Sequence, residues 1–361
     1  MMSQPRIFVT LDVMRGIAAL AVLAHHCAPL LGPWWSPGSA YLAVDLFFML
    51  SGFVLALAYS DRLNSTMTTG QFVVERAIRI YPLFALGMLF GSLAAVLMLI
   101  TGSPSWTLFQ IARDTATGLF MIPSVPWDSN GVFKYNLFPL NWPAWSLFYE
   151  VVINLVFAFL PIRRWSQLLP LLIVSAIGVI GVSATYNGMD AGTHYFEIGA
   201  GLIRVTFGFF MGVALYTLHR RAPLVRALPA IIVLAVTALL LAVPMGETMR
   251  PWYDAACVLI LFPVVIYLGA AIQPRGIVRR AGEKLGVASF AIYATHAGPL
   301  LIFGGLWARL SPASKGHPSP LIGLLFIAGM VLFALTLHRF FDEPLRRWLR
   351  AQRGAGRLPV G

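Results

Sequence analysis

Apolar residues along this chain come in long windows separated by short polar or basic segments. A window of about 17–25 mostly apolar residues is long enough to cross a bilayer as a helix. Ten such windows, with soft edges, cover 13–31, 40–59, 82–101, 143–161, 168–184, 199–218, 228–243, 253–271, 287–308 and 320–338. A weaker stretch, 106–121, contains Arg113 and Asp114 and reads as an interfacial or re-entrant helix. The pattern predicts an all-α fold: a polytopic integral membrane helix bundle of about ten transmembrane helices. The first window follows Arg6 without a small-residue cleavage site after it, so it reads as a retained helix rather than a removed signal peptide. No repeat with a period of 20–50 residues is visible.

Composition agrees with this pattern. The chain is 58% hydrophobic and 11% charged, against about 25% charged in soluble domains, and its mean hydropathy is +0.78. A net charge of +12 raises the question of nucleic acid, but the cations are scattered between apolar windows rather than gathered on a polar domain. Nucleic acid is therefore not an expected partner; the lipid bilayer is. The scatter has an order. Arg62, Arg76, Arg79, Arg220, Arg221, Arg279, Arg280 and the six arginines after residue 338 fall on one side of the ten-window topology. Arg113, Lys134, Arg250, Arg309 and Lys315 fall on the other. By the positive-inside rule both termini are cytoplasmic. Residues 1–340 form the transmembrane domain on this reading, and 341–361 a basic cytoplasmic tail, a short amphipathic helix on anionic lipid. Cys27 and Cys257 lie in or beside apolar windows and imply no disulfide framework.

Ionisable groups at bilayer depth cost about 2.5–3.5 kcal/mol each on insertion scales, so they face the bundle interior and mark function. Here they are Asp12, Arg15, His25, His26, Asp45, Glu150, Arg204 and His296. Arg15 and His26 are eleven residues apart. That spacing puts them on one helical stripe about 16 Å apart along the axis, with Asp12, Gly16 and Ala19 on the same face. His25 points roughly 100° away. The small residues let another helix, or a ligand, come close. The bland alternative is that Arg15 snorkels to the headgroups and the histidines pack as core groups. Arg76 and Arg79 share one helical face just before the third window, where they suit either a ligand or a topology anchor. Arg204 has no carboxylate nearby in sequence and would pair with Glu150 or Asp45 across the bundle. His296 would line a cavity or sit as a satisfied core group. "DEP" at 342–344 reads as a helix end, since Pro344 follows a stop pattern.

Six stretches, "LDVMRGIAALAVLAHH", "VDLFFMLSGF", "ERAIRIYP", "WSLFYE", "ASFAIYATH" and "RFFDEPLRRW", run in order from residue 11 to 348. In these the chain resembles the integral-membrane acyltransferase-3 family. The resemblance implies a membrane enzyme, in a bacterial inner membrane, that moves an acyl group, commonly acetyl, from cytoplasmic acyl-CoA to a hydroxyl of an envelope glycan or another small acceptor. It puts the catalytic histidine on His26, not His25. Many members carry two adjacent glutamates where this chain has Glu150 followed by Val151, so only Glu150 carries over.

The chemistry fits these residues. A hydroxyl is a poor nucleophile, and His26, set by a nearby carboxylate, would either take the hydroxyl proton as a general base or carry the acyl group transiently; Glu150 and Asp45 are the candidates for that carboxylate. The phosphates of the donor, acyl-CoA (acetyl-CoA in the first place), need fixed cations, for which Arg15, Arg76 and Arg79 are placed. No metal is expected. The aromatic and amide-rich loop 123–145 suits a sugar acceptor or an interfacial aromatic belt. The rival class is a transporter or exporter of a glycan or small molecule; no paired halves with matching interrupted helices support it.

Overall fold

A computed structural model describes residues 8–32, 35–102, 105–126, 133, 135–160, 162, 164–222, 229–310 and 318–355. Several cations that bear on the topology lie outside these residues: Arg6, Lys134, Arg163, Arg226, Lys315 and Arg357. So do residues 127–132 of the aromatic loop and 356–361 of the tail.

The described residues form helices and no strand. In order these are α1 (Val9–His26), the one-turn α2 (Ala28–Leu31), α3 (Ala43–Leu63), α4 (Thr69–Ile100), α5 (Leu108–Leu119), α6 (Trp145–Phe159), α7 (Trp165–Thr185), α8 (Ile198–Arg221) and α9 (Ala230–Ala242). They continue with α10 (Arg250–Ala256), α11 (Phe262–Ala271), α12 (Gly276–Thr295), α13 (Ala297–Leu310), α14 (Pro320–Leu337) and α15 (Glu343–Ala355). The bundle is all-α and polytopic, as the windows predict. Among the described residues eight helices are long and apolar enough to cross a membrane, or nine if the bent pair α12–α13 is one span. The remaining expected span is α9. Its 13 residues reach only about 20 Å, short of a hydrocarbon core of about 30 Å.

Two helices outrun their windows. α4 begins at a capping box in which Thr68 and Gln71 bond reciprocally, and it continues through Pro82 to Ile100. Arg76 and Arg79 therefore lie inside this helix, in its first turns, rather than ahead of it. The expected stop at 342–344 is also absent. A π-helical turn, His338–Asp342, carries α14 directly into α15. Pro344 is the second residue of α15, which follows that π-helical turn directly.

α1 runs through the middle of the bundle and packs on α3, α9 and α12. Leu285 of α12 fills the space over Gly16, so a helix occupies part of the small-residue stripe. α3 and α8 make the most extensive helix pair. Gly52 lies against the Phe209 carbonyl and Gly212 against that of Met49, leaving no room for a Cβ at either. The periphery is apolar: α7 turns Leu169, Ile173, Val174, Ile177 and Ile180 outward, the one-sided 3–4 spacing of a lipid-facing helix.

Candidate active site

Two cavities lie along α1. The first, about 140 Å³, sits between α1, α3, α4, α6 and α12. Its cations are Arg15, Arg76 and Arg79, and Glu150 is its carboxylate. Helical spacing puts Arg76 and Arg79 on one face of α4. Each arginine is held by an acid. Arg15 pairs with Asp12 at 3.2 Å. Arg76 donates to Glu150 Oε1 at 2.9 Å, and Ser51 donates to the same oxygen at 3.1 Å. Arg79 lies 3.8 Å from Asp342 and over the Phe290 ring at 5.1 Å. Asp342 is buried and is also gripped by Arg346. These anchors fix the guanidinium groups while leaving part of each at the cavity.

The second cavity, about 240 Å³, lies toward the other end of α1. His25 and His26 line it together with Tyr41, Trp142, Trp145 and Asp190. His25 thus shares the cavity with His26 despite its different bearing on the helix, and its Nδ1 lies 3.4 Å from the Pro37 carbonyl oxygen. His26 Nδ1 lies 2.7 Å from His296 Nε2. The Trp142 ring meets His26 edge-on at 5.7 Å and is itself stacked on Phe133 at 4.7 Å. Two of the cavity's lining residues are held by Arg250, which lies over the Tyr41 ring and 3.5 Å from Asp190. Tyr41 donates to Asp254 at 2.9 Å.

Tyr293 lines both cavities. Its hydroxyl is 2.6 Å from Ser146 Oγ and donates to the Pro143 carbonyl at 3.1 Å, and Phe47 meets its ring edge-on. It is a braced wall between a cationic chamber and a histidine chamber. That division of labour suits a group-transfer enzyme with an anionic donor.

The acyltransferase-3 family model, an acyltransferase domain, matches residues 8–339. The chain belongs to this family. Protein 2 in picA locus, from Rhizobium radiobacter, is 36% identical to the acyltransferase over 200 residues, 51% of this chain and 98% of that protein. Acyltransferase MdmB from Streptomyces mycarofaciens is 28% identical over 392 aligned positions, 97% of this chain and 94% of that protein. No solved structure matches significantly. Membership makes the acyltransferase a multi-pass membrane enzyme rather than a transporter.

The sequence-derived residues divide unevenly over the site. Arg15, Arg76, Arg79 and Glu150 meet in one cavity, and His26 stands in the other. Neither expected carboxylate lies against His26. Glu150 is bound to Arg76. Both oxygens of Asp45 are taken by Arg204, at 3.1 and 2.6 Å, and the pair is fully buried. Arg204 also donates to the Ala191 carbonyl at 2.5 Å and lies over Trp145. Asp45 therefore pins α3 to α8 instead of setting the histidine. Sequence reasoning missed Tyr293 and Asp342, and left His296 undecided. The "ASFAIYATH" stretch held two of these three, but nothing local says that His296 meets a ring 270 positions away.

Proposed function

We propose that the acyltransferase moves an acyl group, acetyl in the first place, from acyl-CoA to a hydroxyl of an envelope or exported glycan or a related small acceptor. The observation that carries this reading is the pair of chambers on either side of Tyr293, one with three arginines and one with His26. The donor's phosphates bind Arg15, Arg76 and Arg79, which present fixed forks of N–H donors. Its pantetheine arm reaches along α1 to Tyr293, whose ring must swing aside for the thioester to meet His26; the rise from Arg15 to His26, about 16 Å, matches such an extended arm. The acceptor enters the histidine chamber, where Trp142, Trp145 and Tyr41 offer ring faces and Asp190 and His194 polar edges.

In the transfer the acceptor hydroxyl oxygen attacks the thioester carbonyl carbon, and unprotonated His26 takes the hydroxyl proton. The C–S bond then breaks, the sulfur leaves with the bonding pair, and the His26 imidazolium returns the proton to it. The products are an ester and CoA with a free thiol. The arginine chamber faces the cytoplasm of a bacterial cell, the enzyme lies in its inner membrane, and both termini are cytoplasmic.

The test is CoA release from acetyl-CoA by the enzyme in lipid nanodiscs supplied with isolated envelope glycan as acceptor, with free thiol as the readout. Thiol release by wild type that Arg76→Gln/Arg79→Gln slows through a raised KM supports the reading. No release with any tested acyl-CoA overturns it.

A further inference from the structure

His296 sits where the α12–α13 pair bends by 69°. It is fully buried and does not line the histidine chamber. Its Nδ1 lies 2.9 Å from the Ile292 carbonyl oxygen and 3.0 Å from that of Tyr293. A carbonyl oxygen only accepts, so Nδ1 carries the hydrogen. In a neutral imidazole the other nitrogen is then a bare acceptor. That nitrogen, Nε2, is the one 2.7 Å from His26 Nδ1, so His26 must donate from Nδ1. The two rings lie within 15° of parallel, with centroids 5.0 Å apart.

We infer that His296 is a positioning residue that locks His26 as its Nδ1–H tautomer, leaving the Nε2 lone pair as the base. The tautomer of a histidine is set by the hydrogen bond of its other nitrogen. In this protein a second histidine, backed by two main-chain carbonyls, does what a carboxylate does in a Ser-His-Asp arrangement. When His26 takes the acceptor proton at Nε2, the Nδ1–H bond to His296 persists and spreads the charge onto a neutral ring. The catalytic part of the inference rests on the base role proposed for His26; the tautomer does not.

The test is nitrogen-15 NMR of histidine-labelled full-length enzyme in nanodiscs, with His26 signals assigned by their loss in His26→Gln. Wild type is expected to show His26 protonated at Nδ1 and bare at Nε2. His296→Gln puts an amide oxygen near the place of Nε2 and should keep that tautomer and most turnover. His296→Asn is too short to reach and should shift His26 toward the Nε2–H form. Its kcat for CoA release from acetyl-CoA should fall about tenfold or more, with KM unchanged. A wild-type His26 protonated at Nε2, or an Asn variant with an unchanged His26 spectrum, overturns the inference. If His296→Asn fails to fold, the wild-type spectrum decides alone. Tautomers that follow the substitutions without any CoA release would uphold the positioning role and sink the donor reading.

Discussion

His25 and His26 are adjacent, and both reach one chamber, yet their partners differ. His25 has a long 3.4 Å approach to a carbonyl, whereas His26 has a 2.7 Å bond to a buried ring. His26→Ala is therefore expected to abolish acyl transfer with expression near normal, and His25→Ala to keep most of it. Product ester or free thiol measures both, and a dead His25→Ala beside an active His26→Ala would reverse the assignment. The Asp45–Arg204 pair makes a different demand. Removing one partner of a buried ion pair costs about 3–5 kcal/mol, whereas an apolar replacement of both is often neutral. Asp45→Asn should lower the thermal midpoint in detergent, and Asp45→Leu/Arg204→Met should recover most of the loss. A midpoint unmoved by Asp45→Asn would show the pair to be idle. Spacing made the Asp12–Arg15 and Arg76/Arg79 groupings legible, because those residues share one helix. The lack of a nearby acid already narrows the partner of Arg204 to Asp45 or Glu150, and the fold selects Asp45, 159 positions away; the partners of Arg79 and His26 lie 263 and 270 positions away, and no local pattern encodes such a meeting.

At the scale of elements, hydrophobic windows found every major helix but not its ends. Polar caps and first turns outside the apolar run, such as Thr68 to Arg79, are invisible to a hydropathy count, although the capping pair Thr68 and Gln71 is a readable start signal. The π turn before Pro344 was not readable, because it changes hydrogen bonding without changing polarity. The α3–α8 crossing supplies an element-level test. Gly212 faces the Met49 carbonyl with no space between. Gly212→Val should push the helices apart and strip away the framework of the Asp45–Arg204 pair. Size-exclusion chromatography is expected to show aggregate in place of a sharp peak; a wild-type profile would mean the crossing can loosen.

Across the whole molecule, the start of α1 and the α14–α15 junction reach the same end of the bundle, since Arg15 lines a cavity with Arg79 and Arg79 meets Asp342. The proposed orientation requires the short α9 to cross. A reporter at Gly188 should read outside and one at Pro274 inside; matching signals would mean that α9 does not span. Tyr293 carries a further consequence. A membrane that stores an ion gradient cannot tolerate a water file through its proteins, yet this fold opens a cavity on each side of one side chain. The phenol ring and its hydroxyl bonds to Ser146 and Pro143 are therefore expected to insulate as well as to divide. Tyr293→Ala should join the chambers, and vesicles carrying it should lose an imposed pH gradient faster than vesicles carrying wild type.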